Sequence, residues 1–182
     1  MDQNKISVCV TTYNRPEMLR DLINSFLNQE YKNKELVISD DSPNNSIAEL
    51  VKTYRNTNIK CFRNKKNLGF CKNLLKSILR AKGKYILVLG DDDVLLSEKT
   101  LTKYVKIFDK NPDVGYVYSN GVQFSNKMKI EIIYNKFNNK DIYFKRGENA
   151  IKGIWNSSMY IPGIGLRNNV DFTKFYPSEN LL

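Results

Sequence analysis

Apolar positions along this chain change period at regular intervals. In "KISVCVTTY" (5–13), Ile6, Val8 and Val10 alternate with small or polar residues, the two-residue period of a strand. The next segment, "NRPEMLRDLINSFLNQ", places Met18, Leu19, Leu22, Ile23, Phe26 and Leu27 on one helical face, and Pro16 suits a first helical position. "KELVISDDS" (34–42) reads as a second strand ending in acids. Ser46 and Glu49 have capping-box spacing and predict a short helix through Tyr54. "NIKCFRN" (58–64) reads as a third strand. In "NLGFCKNLLKSILRAKG", Phe70, Leu74, Leu75, Ile78 and Leu79 share a helical face, with Gly83 as the stop. "YILVLG" is a fourth strand. Ser97 is placed to cap a further helix to about Asp109, with Leu101, Tyr104, Val105 and Phe108 inward, and "DVGYVYSN" (113–120) reads as a fifth strand.

Strands alternating with helices at this spacing predict an α/β fold, a mainly parallel central sheet flanked by helices. Beyond residue 120 the pattern loosens. "KMKIEIIYN" reads as a strand, "GENAIKGIW" as a short helix and "MYIPGIGLR" as a strand or a buried loop. No repeat or linker divides the 182 residues, so a single domain is expected.

Composition narrows the chemistry. The chain carries a net charge of +10 and no histidine, so acid–base or metal chemistry must use Asp or Glu. The positive balance fits Lys-rich solvated faces, an anionic ligand, an anionic membrane surface or nucleic acid. Nucleic-acid binding would favour aromatics interleaved with basic residues on one surface. Most aromatics here fall on predicted core faces, and nucleic acid is not an expected partner. Cys9, Cys61 and Cys71 have no metal-ligand spacing and read as reduced core residues. No run reaches the about 18 apolar residues of a membrane span, and the N-terminus enters a strand with no leader pattern. A cytoplasmic protein is therefore expected, with peripheral association at the inner face of a membrane left open.

Three polar clusters fall at predicted strand ends: "TTYNR", "DDS" and, in "YILVLGDDDVLLS", three adjacent aspartates. Ligands of open parallel sheets bind at the carboxyl ends of the strands. Asn14 or Asp41 could serve only as a cap or turn residue. Asp91, Asp92 and Asp93 are different, because one aspartate suffices for a cap and three repel one another. A hard divalent cation, Mn²⁺ or Mg²⁺, resolves that repulsion, and Mg²⁺ typically takes one or two protein carboxylates plus substrate phosphates. A metal–diphosphate site is thus the expected chemistry.

The order "ISVCVTTYNRPEMLRDLINSFLNQ … KELVISDDS … NLGFCKNLLKSILRAKGKYILVLGDDDVL" resembles the nucleotide-binding half of family 2 glycosyltransferases, of the Rossmann-like GT-A fold, over roughly residues 5–125. The resemblance implies an enzyme that transfers a sugar from a nucleotide-diphosphate sugar, a UDP-sugar, to a glycan, lipid-linked or protein acceptor, metal-dependent and inverting. A role in polysaccharide biosynthesis goes with it, and the Lys/Asn-rich composition adds a bacterial context. By position, Thr11, Thr12, Tyr13 and Arg15 look like the first nucleotide-contacting turn. Asp40 is similar to the aspartate that reads the uracil edge, with Asp41 beside it. Asn67, Gly69 and Lys72 look like the segment that closes over base and diphosphate. Asp93 best fits the metal ligand, while Asp91 and Asp92 face ribose or metal. Thr11 stands where the family has Pro, Lys72 where it has Arg, and Gly90 where many members have the first aspartate of the motif. Family members run well past 182 residues and carry a later Asp or Glu as base, for which Glu179 and Asp171 are the candidates. The resemblance thus implies a nucleotide-sugar part at 1–125 and a partial acceptor-side part at 126–182. Trp155 reads as a core residue or as a platform for a sugar ring. The competing readings are a sugar nucleotidyltransferase, for which "TTYNRP" is not the expected Gly-rich phosphate loop, and a nucleotide-sugar-binding fragment without transfer activity.

Overall fold

The computed structural model describes residues 4–125, 130–134, 142–144, 147 and 163–169. Twelve elements follow in order: β1 (Ile6–Thr12), α1 (Pro16–Leu27), β2 (Lys34–Asp40), α2 (Ser46–Thr53), β3 (Ile59–Arg63), α3 (Phe70–Leu79), β4 (Tyr85–Gly90), α4 (Thr100–Lys110), β5 (Tyr116–Tyr118), β6 (Gly121–Phe124), β7 (Ile130–Tyr134) and β8 (Ile164–Arg167). Six strands form one sheet in the order β3-β2-β1-β4-β8-β5, and β6 pairs with β7 in a separate ribbon.

β1 is central because both its faces are apolar enough to be covered, and all seven of its residues are buried. It pairs in parallel with β2 and with β4, and β2 pairs in parallel with β3. On one face Ile6, Val8, Val10, Leu36, Ile38, Tyr85, Leu87 and Leu89 join residues of α1, α2 and α4 in the main core. On the other face Cys9, Val37, Ile86 and Val88 meet Ile78 of α3. The fold is thus a mixed, mainly parallel sheet with helices on both sides, as the alternation predicts.

Several local expectations are corrected. The Ser46–Glu49 capping box does not form; Asn44 Oδ1 accepts both the Ser46 N–H, at 3.1 Å, and its hydroxyl, at 2.7 Å. Ser97 lies outside α4, whose N-cap is Lys99, and its hydroxyl oxygen accepts the Lys99 N–H. α3 ends at Leu79, before Gly83, and buries Asn73 and Ser77 while Phe70 and Leu79 are exposed. Met18 is exposed on α1, and Cys71 is exposed and not a core residue.

The sheet edge does not follow chain order. β5 does not extend the parallel series beside β4. β8, from "IPGIGLR", lies between them and runs antiparallel to both. Arg167 fastens it by donating to the carbonyls of Val114 (2.6 Å), Phe108 and Asn111 (2.8 Å), where the carbonyl dipoles at the end of α4 favour a cation. The segment "GENAIKGIW", Trp155, Asp171 and Glu179 lie outside the described residues. No helix among the described residues is long and apolar enough to cross a membrane.

Candidate functional site

The parallel register brings the strand ends together. Thr12 of β1 is level with Asp40 of β2, and Thr11 with Gly90 of β4. The three polar clusters therefore meet at one end of the sheet, where parallel strands present their binding residues.

The first turn leaves β1 through Asn14, whose backbone is left-handed at φ 54°, a conformation Asn tolerates. It is tied to the second turn by the Asn14 N–H donating to Ser42 Oγ at 2.9 Å, and by the Asp41 N–H donating to Thr12 O at 3.1 Å. Arg15 then begins α1, and Pro16 occupies the first helical turn. Tyr13 stays 47% exposed, its ring open to solvent beside the second turn.

Asp40 and Asp41 have separate jobs. Asp40 is fully buried and closes its own turn, with Oδ1 accepting the Ser42 N–H at 2.8 Å, while Oδ2 is buried with no partner. Asp41 is held at both oxygens: Oδ1 accepts from Asn64 Nδ2 at 2.8 Å, and Oδ2 from the Leu68 N–H at 3.0 Å. A cleft of about 230 Å³ is lined by Tyr13, Asp41, Ser42, Pro43, Arg63, Asn64, Lys65, Lys66 and Asn67. Arg63 forms one wall by donating to the carbonyls of Ser42 (3.1 Å) and Pro43 and to Asn45 Oδ1.

Of the expected nucleotide contacts, Tyr13, Asp41 and Asn67 border this cleft, whereas Asp40 lies beneath it. Asn67 Oδ1 accepts the Gly69 N–H at 2.8 Å, and Gly69 takes φ 76°, which explains glycine there. Lys72 follows in the first turn of α3 and, like Gly69, is not part of the cleft lining. Arg63, Asn64, Lys65, Lys66 and Ser42 were not singled out from the sequence. Their signal was position alone, at the end of β3 and on the turns after β2 and β3, next to the residues already named.

The aspartates lie across the sheet end from the cleft. Arg15 Nε donates to Asp91 Oδ2 at 3.1 Å, its Nη2 lies against Asp91 Oδ1, and its Nη1 reaches Asp92 Oδ2 at 3.3 Å. Asp91 is fully buried; burial pushes its carboxyl up, with Thr12 and Arg15 opposing. The Asp92 side chain is 53% exposed. Asp93 folds back, Oδ2 accepting the Gly90 N–H at 2.6 Å. Its carboxyl is pushed up to about 6, chiefly by burial, with Asp92 and Asp91 adding to the rise against that hydrogen bond and Arg15. The three aspartates thus differ in their surroundings. Asp93 closes a turn, and Asp92 offers the accessible carboxylate.

Gly90 explains its own identity. A Cβ there would lie 2.6 Å from Asp92 Oδ1 and 3.0 Å from Asp93 Oδ2, so a side chain would require those carboxylates to shift. The donor set fits a hard cation: it is all oxygen, and Arg15 supplies a single positive charge against three aspartates. Among the described residues no three acidic, cysteine or histidine side chains form a ready metal cage. A cation here would draw its remaining ligands from phosphate and water, the usual habit of Mg²⁺.

The family model "Glycosyl transferase family 2" matches residues 7–166 of the chain. The chain belongs to glycosyl transferase family 2. The chain is 37% identical over 123 residues to an uncharacterized glycosyltransferase of Methanocaldococcus jannaschii, covering 65% of the chain and 42% of the relative. It is 40% identical over 98 residues to the abequosyltransferase of Salmonella typhimurium, covering 51% of the chain and 29% of the relative. Among solved structures it resembles S. aureus TarS 1-349 in complex with UDP, with TM-score 0.72 and 20% identity, covering 97% of this chain and 53% of that one. It also resembles a mannosyltransferase from Pyrobaculum calidifontis in complex with GDP-Man and Mn²⁺, with TM-score 0.58 and 20% identity, covering 65% and 36%. These likenesses establish the GT-A fold. The chain spans 42% and 29% of the length of those two curated relatives.

Proposed function

We propose that this glycosyltransferase binds a UDP-sugar at the β1–β2–β4 strand ends and transfers the sugar with inversion, supported by Mn²⁺ or Mg²⁺. The reading rests on one observation: a base-sized cleft and an acidic cluster share one end of the sheet, joined by the Tyr13–Arg15 turn. Tyr13 offers a stacking face for the base, and Asp41 an acceptor held in place for its edge. Asp40 supports the turn beneath. Lys65, Lys66 and Arg63 place positive charge around the mouth of the cleft, suited to an anionic donor. Neighbours solved with UDP, UDP-GlcNAc and GDP-Man support a nucleotide-sugar donor.

Asp92 would hold the cation, with Asp93 beside it and Asp91 kept for Arg15. A bound cation would supply charge stabilisation to the departing diphosphate. Thr11, Thr12, Asn67, Gly69 and Lys72 would complete the nucleotide contacts. Residues 126–182 would contribute part of the acceptor side within one domain, with Glu179 or Asp171 as base. The acceptor would be a growing polysaccharide, a lipid-linked sugar or a protein. The setting would be the bacterial cytoplasm, with peripheral contact at the inner membrane face suited to a +10 chain.

Calorimetry with UDP, GDP, CDP and ADP, each with and without Mn²⁺, tests this. Selective, metal-dependent binding of UDP is expected. Equal or absent binding across the panel would sink the donor assignment, and preference for another base would sink only uridine.

A further inference from the structure

Arg15 sits on two carboxylates, and its hold on them is unequal. Toward Asp91 it presents a fork, Nε to Oδ2 at 3.1 Å and Nη2 against Oδ1, and Asp91 is fully buried. Toward Asp92 it makes one contact, Nη1 to Oδ2 at 3.3 Å, and both side chains are about half exposed. Removing the partner of a buried charge is costly, whereas an exposed single contact holds weakly. The backbone on either side of this arginine is fixed, by Asn14 at φ 54° before it and by Pro16 after it.

We propose that Arg15 is an exchangeable internal counter-ion: it stays forked on Asp91, while its Nη1 contact with Asp92 is given up when a divalent cation takes that carboxylate. Arginine and metal then compete for Asp92. A cation drawn to Asp92 repels the guanidinium, and the released Nη1–H can donate to another anion. Metal affinity of the free protein is held down, and a phosphate that accepts the freed donor recovers part of that loss. This inference rests on the metal-supported reading of the site given above.

The experiment is a titration of Mn²⁺ alone, followed by electron paramagnetic resonance. It compares the wild-type chain with Arg15→Lys, Arg15→Ala and Asp92→Asn, each checked for folding by circular dichroism, and repeats each titration with UDP. Lysine can neutralise Asp91 but cannot fork across to Asp92. Arg15→Lys should therefore bind free Mn²⁺ about threefold to tenfold more tightly than wild type. Asp92→Asn added to it should abolish the gain. Unchanged or weaker Mn²⁺ binding by folded Arg15→Lys overturns the proposal even if Arg15→Ala fails to fold. Uptake that UDP promotes but Arg15 does not affect sinks the counter-ion role alone. No uptake by any variant, with or without UDP, sinks the metal reading and this inference with it.

Discussion

Asn64 Nδ2 donates to Asp41 Oδ1 at 2.8 Å, so a side chain just past β3 sets the carboxylate at the end of β2. The same amide reaches Asn73 Oδ1 at 2.9 Å, which couples that carboxylate to α3. The Asp41 carboxylate is thus already oriented, and its orientation depends on a residue that was not a site candidate from the sequence.

Asn64→Ala should weaken UDP binding about tenfold and destabilise the fold by about 1–3 kcal/mol, since buried acceptors lose their donor. Calorimetry and urea unfolding on the same preparation measure both. A variant that binds UDP as wild type would show that Asp41 needs no second support.

Asp92→Asn should remove metal-supported UDP binding while leaving the melting temperature of the free protein unchanged within about 2 °C, because exposed charges contribute little to stability. The comparison is UDP affinity with and without Mn²⁺. Persistent Mn²⁺ enhancement in the variant would move the metal away from Asp92.

Asp93→Asn should stabilise the metal-free protein at pH 7.5, by ~1 kcal/mol or a few degrees in Tm. The folded carboxyl titrates at about 6 against an ordinary 3.8, so its ionisation costs stability that is fully lost above about 6. The advantage of the variant should shrink as pH falls from 6 towards 3.8. Melting curves across that range decide it, and a pH-independent difference would assign the effect to the turn hydrogen bond with Gly90.

Glu35 offers a test at the opposite end of the sheet. Burial pushes its carboxyl up, but hydrogen bonds from Ser7 and the Lys82 N–H, both at 2.7 Å, and from Lys60, at 3.1 Å, outweigh that and leave it below the usual range. Glu35→Gln should cost about 3 kcal/mol at pH 7. The wild-type advantage is present above the ordinary value of 4.5 and is lost as pH falls through the lower folded value. Urea unfolding at pH 7 and at pH 3 should show the gap closing, and an equal gap at both would assign it to packing.

The sheet and the placing of its acids were legible because they depend on local period and chain order. The two-residue alternation of β1, the helical spacing in α1 and α4, and acids after β2 and β4 each leave a mark within a short window. Contacts that depend on distant residues left none. Asn73 and Ser77 face inward on α3 because Asn64 and a backbone carbonyl supply their partners, and no periodicity reveals that. Asn44 took the capping role from Ser46 through a turn that both residue types could make. Within the aspartate run, the Arg15 fork, the Gly90 N–H and burial distinguish three identical side chains. The position of β8 was beyond a linear reading, because an antiparallel strand from residue 164 onward fills a gap left open since residue 90.

That late strand has a consequence for how the protein is made. β4 pairs with β1 on one edge and with β8 on the other, so during synthesis the partner of its second edge is missing until Ile164–Arg167 has emerged. At about 5–20 residues per second, that interval lasts several seconds. An unpaired edge beside an apolar strand is a template for joining another chain. During that interval the free edge of β4 is a place where the sheet can pair with another chain.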